Sequence, residues 1–540
     1  MELSTGQKHY GQALIVASLC GFFVWYPITD GDIFWHLAAG REIINRFDFL
    51  RTDPFSFTSL NIPWFDFHWF FQVLVFMTYI IGGYTLLQLL QSVIIASSVF
   101  FLYRVFPSGN MFIKASLFIL TFFEIRYLLP LRPTSITFLC ISIFIWAFNR
   151  YHLSNNKKYL YVLLPLQVVW VNSQGLFLIG PAIAGTYLVS RYLEKFLIDP
   201  KKKSTAKSFD TFSFSIFISV ILVNVLNPYT LKSFTFPFKL FSMISPSSKN
   251  VYSVLVDENT PLLSLFNTPD WHQAVSLLIS VLIGIVLFRF IRLKRVYFSA
   301  IVAVVFLIPA FMAQRNIALY LGASIPLIGL LVTEYVDWSK QKAFSAAISG
   351  FLFSLVVCTV ILHGGFLLQY QYGALSPFVN PEESVEILQR NNFKGRVFNA
   401  DRFGGYITWK MYPYVQVFID TRFINEKFFF DYLKVIENPR LLKQIVEKWD
   451  IKAIILPIKH GGRYENLYNA LLRDSEWFLQ YADGDELLLT KEPLEKVLDL
   501  TNPDAIRTIE KQLRIKYIRS RKLTTEALIR FRIFVVATGV

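Results

Sequence analysis

The sequence predicts a polytopic α-helical membrane protein that carries a smaller α/β domain. Apolar residues make up 54% of the 540 residues, and the mean hydropathy is +0.44. Soluble domains are only about 45–50% apolar. Long apolar segments fill the first two thirds of the chain, and the composition then changes to that of a soluble domain. We therefore expect a transmembrane domain over 1–375, an α/β domain over 376–492 and a basic helical tail over 493–540.

The apolar segments predict about eleven membrane spans, because a spanning helix needs roughly 20 apolar residues. A further apolar segment at 69–81 is short and is followed by Gly82-Gly83, which predicts a helix lying at the membrane interface. The predicted spans are 11–28, 84–103, 111–129, 133–149, 159–171, 176–192, 212–227, 273–291, 297–312, 317–334 and 343–363.

Basic loops at 150–158, 191–207 and 289–295 predict the orientation. Lys and Arg collect in cytoplasmic loops, which places the N-terminus in the cytoplasm. An odd number of spans then puts the α/β domain on the extracytoplasmic side of the cell membrane, the inner or plasma membrane. The first outer loop, 29–68, and several distant polar clusters fall on that same side. The net charge of +15 thus reflects topology, and we expect no nucleic-acid partner.

Alternating strand-like and helix-like segments predict the α/β domain. The basic tail is predicted to be helical, and its position is not predicted. The predicted strands are 395–400, 415–420, 452–458, 477–482 and 486–490, and the predicted helices are 382–392, 438–449 and 462–473.

The first outer loop holds the main catalytic candidates. Asp32 could act as a general base, or could hold a divalent cation such as Mg²⁺ or Mn²⁺. Asp30 is the second carboxylate, although Asp30-Gly31-Asp32 could also be a solvated turn. His36 and His68 could be acid/base groups or amphipathic anchors. The tryptophans of the loop fit either a membrane-interface belt or a surface on which a sugar stacks.

Three arginines are predicted near the outer ends of spans: Arg126, Arg132 and Arg315. An ionised side chain is costly there unless it is paired. The guanidinium group binds phosphate oxygens bidentately, so these residues suit a phosphate or pyrophosphate. The alternative is contact with lipid headgroups.

In the α/β domain, Tyr406, Asp420 and Arg422 follow predicted strands, where such folds place their sites. A structural ion pair between Asp420 and Arg422 is the favoured interpretation. Gly404-Gly405 lacks the surrounding pattern of a phosphate-binding loop.

A series of motifs resembles the GT-C superfamily of integral-membrane glycosyltransferases, and in particular its poorly characterised bacterial members. The motifs are Asp32-x-x-Trp35-His36-Leu37, Asp53-Pro54-Phe55-Ser56, Arg132-Pro133, Trp170-Val171-Asn172, Asn227-Pro228-Tyr229, Arg315-Asn316 and a block from Gly404 to Arg422. That block also faintly resembles oligosaccharyltransferase catalytic subunits, but their Trp-Trp-Asp signature is absent. Transfer to a peptide sequon is therefore not implied.

The resemblance implies a polyprenyl-phosphate-linked sugar as donor, and an acidic residue of the first outer loop in the catalytic centre. That role maps onto Asp32, with Asp30 as second choice. The acceptor would be an extracytoplasmic glycan, lipid or protein. The candidates for binding the donor phosphate or the substrate are Arg132, Arg315, Asn172, Asp53, His68 and Arg126.

Two other functions stay open. The chain could be a transporter or flippase of a lipid-linked or anionic substrate, although it shows no evident internal repeat. It could also be a non-catalytic envelope scaffold, because Gln72 and Gln174 stand where closer relatives are expected to carry Glu and His.

Overall fold

The chain forms two compact units, each built from two separate segments. The helical unit comprises Met1–Tyr26 and Thr85–Leu367, and the sheet unit comprises Pro27–Tyr84 and Leu368–Val540. The predicted first outer loop thus belongs to the same unit as the C-terminal third of the chain. The computed structural model describes residues 5–105, 111–197, 210–235, 237–238, 257–268, 271–288, 297–335, 342–368, 375–459, 462–494, 497–517 and 520–538.

Helices dominate the chain up to residue 367. In chain order they are α1 (Thr5–Phe23), α2 (Asp32–Arg46), α3 (Trp69–Tyr103), α4 (Met111–Ile125), α5 (Pro133–Ser154), α6 (Lys158–Tyr161), α7 (Leu163–Val171), α8 (Ile179–Leu197), α9 (Thr211–Leu222), α10 (Leu262–Leu265), α11 (Trp271–Phe288), α12 (Tyr297–Met312), α13 (Ile317–Tyr335) and α14 (Lys342–Leu367).

Four helical segments in the described ranges are long and apolar enough to cross a membrane: Trp69–Tyr103, Pro133–Ser154, Gln314–Val332 and Ala346–Leu367. The prediction of about eleven spans is therefore not confirmed. Of the basic loops that predict the orientation, most of 191–207 and all of 289–295 lie outside the described residues, and the orientation stays a prediction. Shorter apolar helices of 10–17 residues occur at His9–Phe23, Lys158–Val171, Thr211–Val225, Trp271–Leu282 and Tyr297–Met312.

Short helices and helix breaks account for part of this difference. The predicted span 159–171 corresponds to the apolar helix Lys158–Val171, in which Val162, between α6 and α7, keeps helical dihedral angles. This helix rises only about 21 Å, less than the hydrocarbon thickness. The predicted span 212–227 leaves α-helical geometry after Leu222 and continues as a 3₁₀ turn, Val223–Val225. A hydropathy count detects apolar length and does not detect such breaks.

α3 is interrupted at the predicted Gly82-Gly83 position. Gly82 has φ −151° and ψ 22°, and Gly83 has φ 60° and ψ −152°. The conformation of Gly83 is one that residues with a Cβ rarely adopt. The chain passes from the sheet unit to the helical unit directly after this break. The break is confirmed, whereas a position of 69–81 at a membrane interface stays a prediction.

Buried polar side chains join α5, α7 and α9 within the helical unit. The indole N–H of Trp170 donates to Thr137 Oγ1 over 2.9 Å. Asn172 Nδ2 donates to the carbonyls of Val168 and Leu226, each over 2.8 Å. Two of the sequence motifs, Trp-x-Asn and the segment leading into Asn-Pro-Tyr, therefore stabilise helix packing, since buried polar groups need such partners.

The sheet unit contains a mixed five-stranded sheet of order β2-β1-β3-β5-β4. β1 pairs in parallel with β2 and β3, and β5 is antiparallel to β3 and β4. Each of the five strands begins within one residue of the predicted start. Four also end within one residue of the predicted end, whereas β2 ends three residues earlier than predicted. The strands are β1 (Gly395–Asn399), β2 (Val415–Val417), β3 (Ile451–Pro457), β4 (Phe478–Ala482) and β5 (Glu486–Thr490).

The remaining helices also belong to the sheet unit. Every residue of β5, and every residue of β3 except Lys452, is buried, so both faces of the central sheet are covered. The helices are α15 (Glu382–Arg390), α16 (Asp401–Met411), α17 (Glu426–Glu437), α18 (Arg440–Trp449), α19 (Glu465–Leu472), α20 (Pro503–Lys516) and α21 (Arg521–Thr538).

The basic tail packs on this unit through α20 and α21. Lys516 Nζ lies 3.5 Å from Glu383 Oε1 and 3.9 Å from Asp483 Oδ2. The ring of Phe534 packs edge-on against Tyr468, with centroids 5.9 Å apart. The tail, whose position the sequence does not predict, is thus attached by both ionic and apolar contacts.

Candidate functional site

The predicted site residues are distributed over both units. The helical unit contains Arg126, Arg132, Asn172 and Arg315, and the sheet unit contains Asp30, Asp32, His36, Asp53, His68, Tyr406, Asp420 and Arg422.

Asp32 is the first residue of α2 and is half-buried. Asp30 Oδ1 accepts a hydrogen bond from the backbone N–H of Asp32 over 3.1 Å. Negative charge at a helix N-terminus is favoured by the helix dipole. Thr421 Oγ1 donates to Asp32 Oδ1 over 2.5 Å. The carboxylate is thus held by a residue from the far end of the sequence.

The position of Thr421 depends on how the first outer loop pairs with strand β2. Phe57 N donates to Val417 O over 3.2 Å, and Val417 N donates to Phe55 O over 3.3 Å. Thr58 Oγ1 donates to the carbonyl of Phe418 over 2.5 Å. The loop therefore covers β2, an edge strand of the sheet, whose backbone groups would otherwise lack partners.

Asp53, Asp420 and Arg422 form a buried ionic cluster beside Thr421. Arg422 Nη2 lies 3.0 Å from Asp53 Oδ1, and Arg422 Nε donates to Asp420 Oδ1 over 2.9 Å. Asp53 also accepts from the backbone N–H of Phe55 over 3.0 Å. The predicted Asp420–Arg422 ion pair is confirmed. Asp53, predicted to bind substrate, is instead buried as the third member of this cluster.

Opposing effects act on the pKa values in the cluster. Burial raises the pKa of Asp53; Arg422 acts against this shift, and Asp420 adds to it. Burial alone would lower the pKa of Arg422, but Asp420 and Asp53 outweigh it and raise that pKa. Two carboxylates therefore share one permanently charged guanidinium.

Aromatic rings of the first outer loop enclose Arg422. Its guanidinium carbon lies 4.7 Å from the centroid of Trp64, 5.1 Å from Phe55 and 5.9 Å from Trp35. Trp35 is buried, so it is neither an interface-belt residue nor part of an open sugar-stacking surface. Trp64 is half-buried.

The two histidines of the loop occupy different environments. His36 is only 2% exposed, and its ring centroid lies 3.6 Å from that of Trp35. His68 is half-buried, with Nδ1 3.7 Å from Asp66 Oδ1. Asp66 also accepts from Gln72 Nε2 over 2.8 Å. His36 is thus packed in the interior of the unit and His68 is more accessible, and the catalytic role of His36 and the substrate-binding role of His68 both stay predictions.

Gly404 and Gly405 allow α16 to pack closely on its neighbours. A Cβ on Gly404 would lie 2.2 Å from the carbonyl of Ile419, and one on Gly405 would lie 3.0 Å from the carbonyl of Gly31. Tyr406, a predicted site residue, is buried with its ring 4.9 Å from that of Phe34. Burial raises the pKa of its hydroxyl, which therefore stays protonated. This motif joins α16 to α2 and to the segment that carries Thr421.

In the helical unit, Arg132 pairs with Glu258. Arg132 Nη1 lies 2.6 Å from Oε1 and 2.7 Å from Oε2 of that carboxylate. Arg315 interacts electrostatically with both residues. The backbone connects the two regions, because Gln314 N donates to the carbonyl of Thr260 over 3.0 Å. The structure thus brings Arg132 and Arg315 together around a shared carboxylate.

Glu258 was not identified in the sequence. It lies in a long loop between predicted spans, where no hydrophobic pattern distinguishes one carboxylate from its neighbours. One feature of the sequence could have indicated it. The predicted topology places this loop on the same side of the membrane as Arg132 and Arg315, where a carboxylate could pair with them.

Arg126 and Asn172 make local contacts within the helical unit. The Arg126 guanidinium donates to the carbonyl of Phe123 and lies over the rings of Phe123 and Tyr127, at 3.9 and 4.2 Å from their centroids. The amide nitrogen of Asn172 is used by the two backbone carbonyls described above. Roles of these two side chains in binding substrate stay predictions.

A metal site at Asp32 would need further ligands. In the parts of the chain that the structure describes, no group of three or more His, Cys, Asp or Glu side chains is arranged to hold a metal ion. Mg²⁺ is commonly held by only one or two carboxylates together with water and substrate phosphates, so a divalent cation at Asp32 stays a prediction.

No protein-family model and no curated protein matches the sequence. The chain is, however, similar to solved structures of an oligosaccharyltransferase from Archaeoglobus fulgidus. The complex of that archaeal enzyme, AglB, with an inhibitory peptide and a dolichol-phosphate gives a TM-score of 0.52 at 11% identity, over 91% of this chain and 75% of that one. The apo form gives a TM-score of 0.51 at 13% identity, with the same coverage.

These identities are low, so the likeness concerns the fold alone. It extends over nearly the whole chain and includes both units. The chain therefore has a fold similar to that of this archaeal oligosaccharyltransferase.

Proposed function

We propose that the chain is a membrane glycosyltransferase that moves a sugar from a polyprenyl-phosphate-linked donor to an extracytoplasmic acceptor. One observation carries the proposal: Asp32, at the start of a helix, is held by Thr421 beside a buried ionic cluster. The fold supports it, because the similar archaeal enzyme is a glycosyl-transferring protein whose complex contains a dolichol-phosphate. The proposed location is the cell membrane, with the sheet unit outside.

Asp32 is the general base in this mechanism. The acceptor hydroxyl or amine attacks C1 of the donor sugar, and Asp32 takes the proton that the acceptor loses. The bond between C1 and the phosphate oxygen breaks, and its electron pair leaves with the polyprenyl phosphate. Thr421 orients the carboxylate, and Asp53, Asp420 and Arg422 hold Thr421, since it lies between two residues of the cluster. A base held in position contributes typically 10²–10⁴-fold to a rate.

Arg132 and Arg315 are the proposed ligands of the donor phosphate. Both lie near Glu258, so two guanidinium groups and one carboxylate leave a net positive charge at this point. Guanidinium groups bind phosphate oxygens in bidentate geometry. The helical unit therefore offers a cationic position that suits a phosphate-bearing ligand.

The test measures release of polyprenyl phosphate by the purified chain in lipid, with a synthetic polyprenyl-phosphate hexose as the probe and water as the default acceptor. Asp32→Asn should reduce release by about 100-fold or more, because it removes the base. Asp48→Asn is the matched control, since Asp48 is an exposed carboxylate of the same unit.

Two results would contradict the proposal. One is equal release by the wild type and a folded Asp32→Asn variant. The other is movement of the intact probe across sealed vesicles without any release of phosphate, which would favour a flippase. If no turnover occurs but a partner protein is retained, the chain would instead be a scaffold.

A further inference from the structure

Helix α21 has a buried face and an apolar exposed face. Its buried side packs against the rest of the sheet unit through Leu523, Ala527, Phe531, Phe534 and Thr538. Ile529, Ile533 and Val536 lie on the opposite side and are 52%, 44% and 80% exposed. Their spacing of four and three residues places them in one stripe along the helix.

Basic side chains surround this stripe. Lys522 lies seven residues before Ile529 and therefore on the same stripe, with Arg521 and Arg532 beside it. α20 adds exposed Lys511 and Ile515, the latter 61% exposed. The segment 503–538 contains nine Lys and Arg residues and only three acidic ones.

Some of these basic residues form salt bridges within the sheet unit, and others do not. Lys516, Arg530 and Arg532 pair with Asp483, Asp485 and Glu510 respectively. Lys511, Arg521 and Lys522 form no salt bridge with any residue in the described ranges, and all three are exposed. These three residues of α20 and α21 therefore carry positive charge that no carboxylate in the described ranges neutralises.

We propose that the outer face of α20 and α21 binds the surface of a bilayer that contains anionic phospholipid. A helix with one stripe of exposed aliphatic residues, flanked by Lys and Arg, has the composition of an interfacial helix. The positive charge complements the negative surface of such a bilayer. This inference is independent of the proposed glycosyl transfer.

The composition of the face favours lipid over a protein partner. Protein interfaces rely on aromatic anchors, Trp and Tyr above all. Here the aromatic residues of the segment, Tyr517, Phe531 and Phe534, are buried inside the unit. The exposed face presents only aliphatic and basic side chains.

The test uses the full chain in nanodiscs, with a fluorescent label that reports polarity. Cys358 is exposed, so it is first replaced by Ser, whereas Cys20 and Cys140 are buried. The label is then attached at Val536→Cys, with Glu447→Cys on α18 as an exposed control in the same unit. Nanodiscs of phosphatidylcholine alone are compared with nanodiscs that also contain phosphatidylglycerol.

We expect the label at 536 to shift its emission to shorter wavelength, and to be quenched by spin-labelled lipid, only with phosphatidylglycerol. The label at 447 should change in neither lipid. Salt at about 1 M should reverse the shift, because the Debye length falls to about 3 Å. The double variant Arg521→Gln/Lys522→Gln should also weaken it, with hydrogen exchange of α21 confirming that the helix stays folded.

Three results would overturn the inference. The first is the same emission from position 536 in both lipids. The second is a shift that salt does not reverse, which would indicate apolar contact without anionic lipid. The third is a shift that depends on protein concentration, which would indicate that a second copy of the chain covers the face.

Discussion

Arg422 and Asp53 form a buried ion pair that joins the two chain segments of the sheet unit. Arg422 Nη2 lies 3.0 Å from Asp53 Oδ1, and the partners come from the two separate segments, Pro27–Tyr84 and Leu368–Val540. Thr421, which precedes Arg422, hydrogen-bonds to Asp32 from the first of these segments. The ion pair and the candidate catalytic carboxylate therefore depend on the same association of segments.

Replacement of Arg422 should strongly destabilise the sheet unit. Arg422→Met keeps much of the side-chain volume but leaves Asp53 and Asp420 buried without their cation. Removing one partner of a buried ion pair costs about 3–5 kcal/mol. Thermal unfolding followed by tryptophan fluorescence measures the loss, since Trp35 and Trp64 lie against Arg422.

The pH dependence of the stability of Arg422→Met provides a second test. Burial raises the pKa of Asp53 in the folded state, and without the guanidinium of Arg422 the largest effect that opposes that shift is lost. Its protonated form is then favoured by folding, so the variant should recover stability as the pH falls below neutrality. Arg473→Met is the control, because Arg473 is exposed. Equal unfolding temperatures for the two variants would contradict a structural role of the cluster.

Part of this cluster could be predicted from the sequence. Asp420 and Arg422 are two residues apart after a predicted strand, and their ion pair is confirmed. Asp53 could not be assigned to it, because one sequence does not show which distant segments meet. For the same reason the burial of His36 and Trp35 is not visible in a loop rich in Asp, His and Trp. The composition of that loop is typical of a catalytic site, and it is equally typical of a buried core that contains polar residues.

The hydrogen bond from Thr421 should be needed for catalysis rather than for binding. Thr421→Val has nearly the same shape but cannot donate to Asp32. A hydrogen bond to a charged group contributes about 1.5–3 kcal/mol, so kcat should fall by roughly 10- to 100-fold. KM for the polyprenyl-phosphate hexose should change little.

Thr421→Ser is the matched variant, because it keeps the hydroxyl donor and removes only a methyl group. It should retain most of the wild-type kcat in the same phosphate-release assay. Equal kcat values for Thr421→Val and Thr421→Ser would show that Thr421 does not position Asp32 for the reaction.

The stability of the sheet unit should fall as the pH rises through neutrality. Burial, and then the neighbouring Asp483, raise the pKa of Asp485 to about 7, against the opposing effects of Arg530 and Lys516. An unfolded Asp has a pKa of about 3.9. Between these values only the folded state holds the proton, so stability is lost as the pH rises from about 4 to above 7.

Asp485→Asn should flatten this dependence, since the amide does not titrate. The measurement is the apparent unfolding temperature from pH 5 to pH 8, together with hydrogen exchange of α21, which carries Arg530. Asp450→Asn is the control, because Asp450 is exposed and its left-handed conformation suits Asn equally well. A pH profile of Asp485→Asn that matches the wild type would rule out Asp485 as the group responsible.

The helical unit shows a different limit of sequence reasoning. Apolar length predicts most of the helices, but it does not predict long-range contacts such as the hydrogen bond of Asn172 to the carbonyl of Leu226, which follows α9. The positions of Arg132 and Arg315 near predicted span ends indicate that each needs a partner, because an ionised side chain is costly there. In the structure that partner is Glu258, and its loop shows no pattern that distinguishes this carboxylate from its neighbours.

Glu258 should compete with phosphate for Arg132 and Arg315, if these residues bind the donor. Glu258→Gln removes the negative charge but keeps the side-chain length, so a short-chain polyprenyl phosphate should bind about tenfold more tightly, a gain of about 1.4 kcal/mol. Arg132→Gln should weaken binding of the same ligand. Glu124→Gln is the matched control, because Glu124 also faces a basic side chain of the same unit: its Oε1 lies 2.7 Å from His272 Nδ1. Equilibrium binding of this ligand in detergent is measured for the wild type and the three variants. Weaker binding by Glu258→Gln would show that the carboxylate holds the arginines in place instead of competing with the ligand.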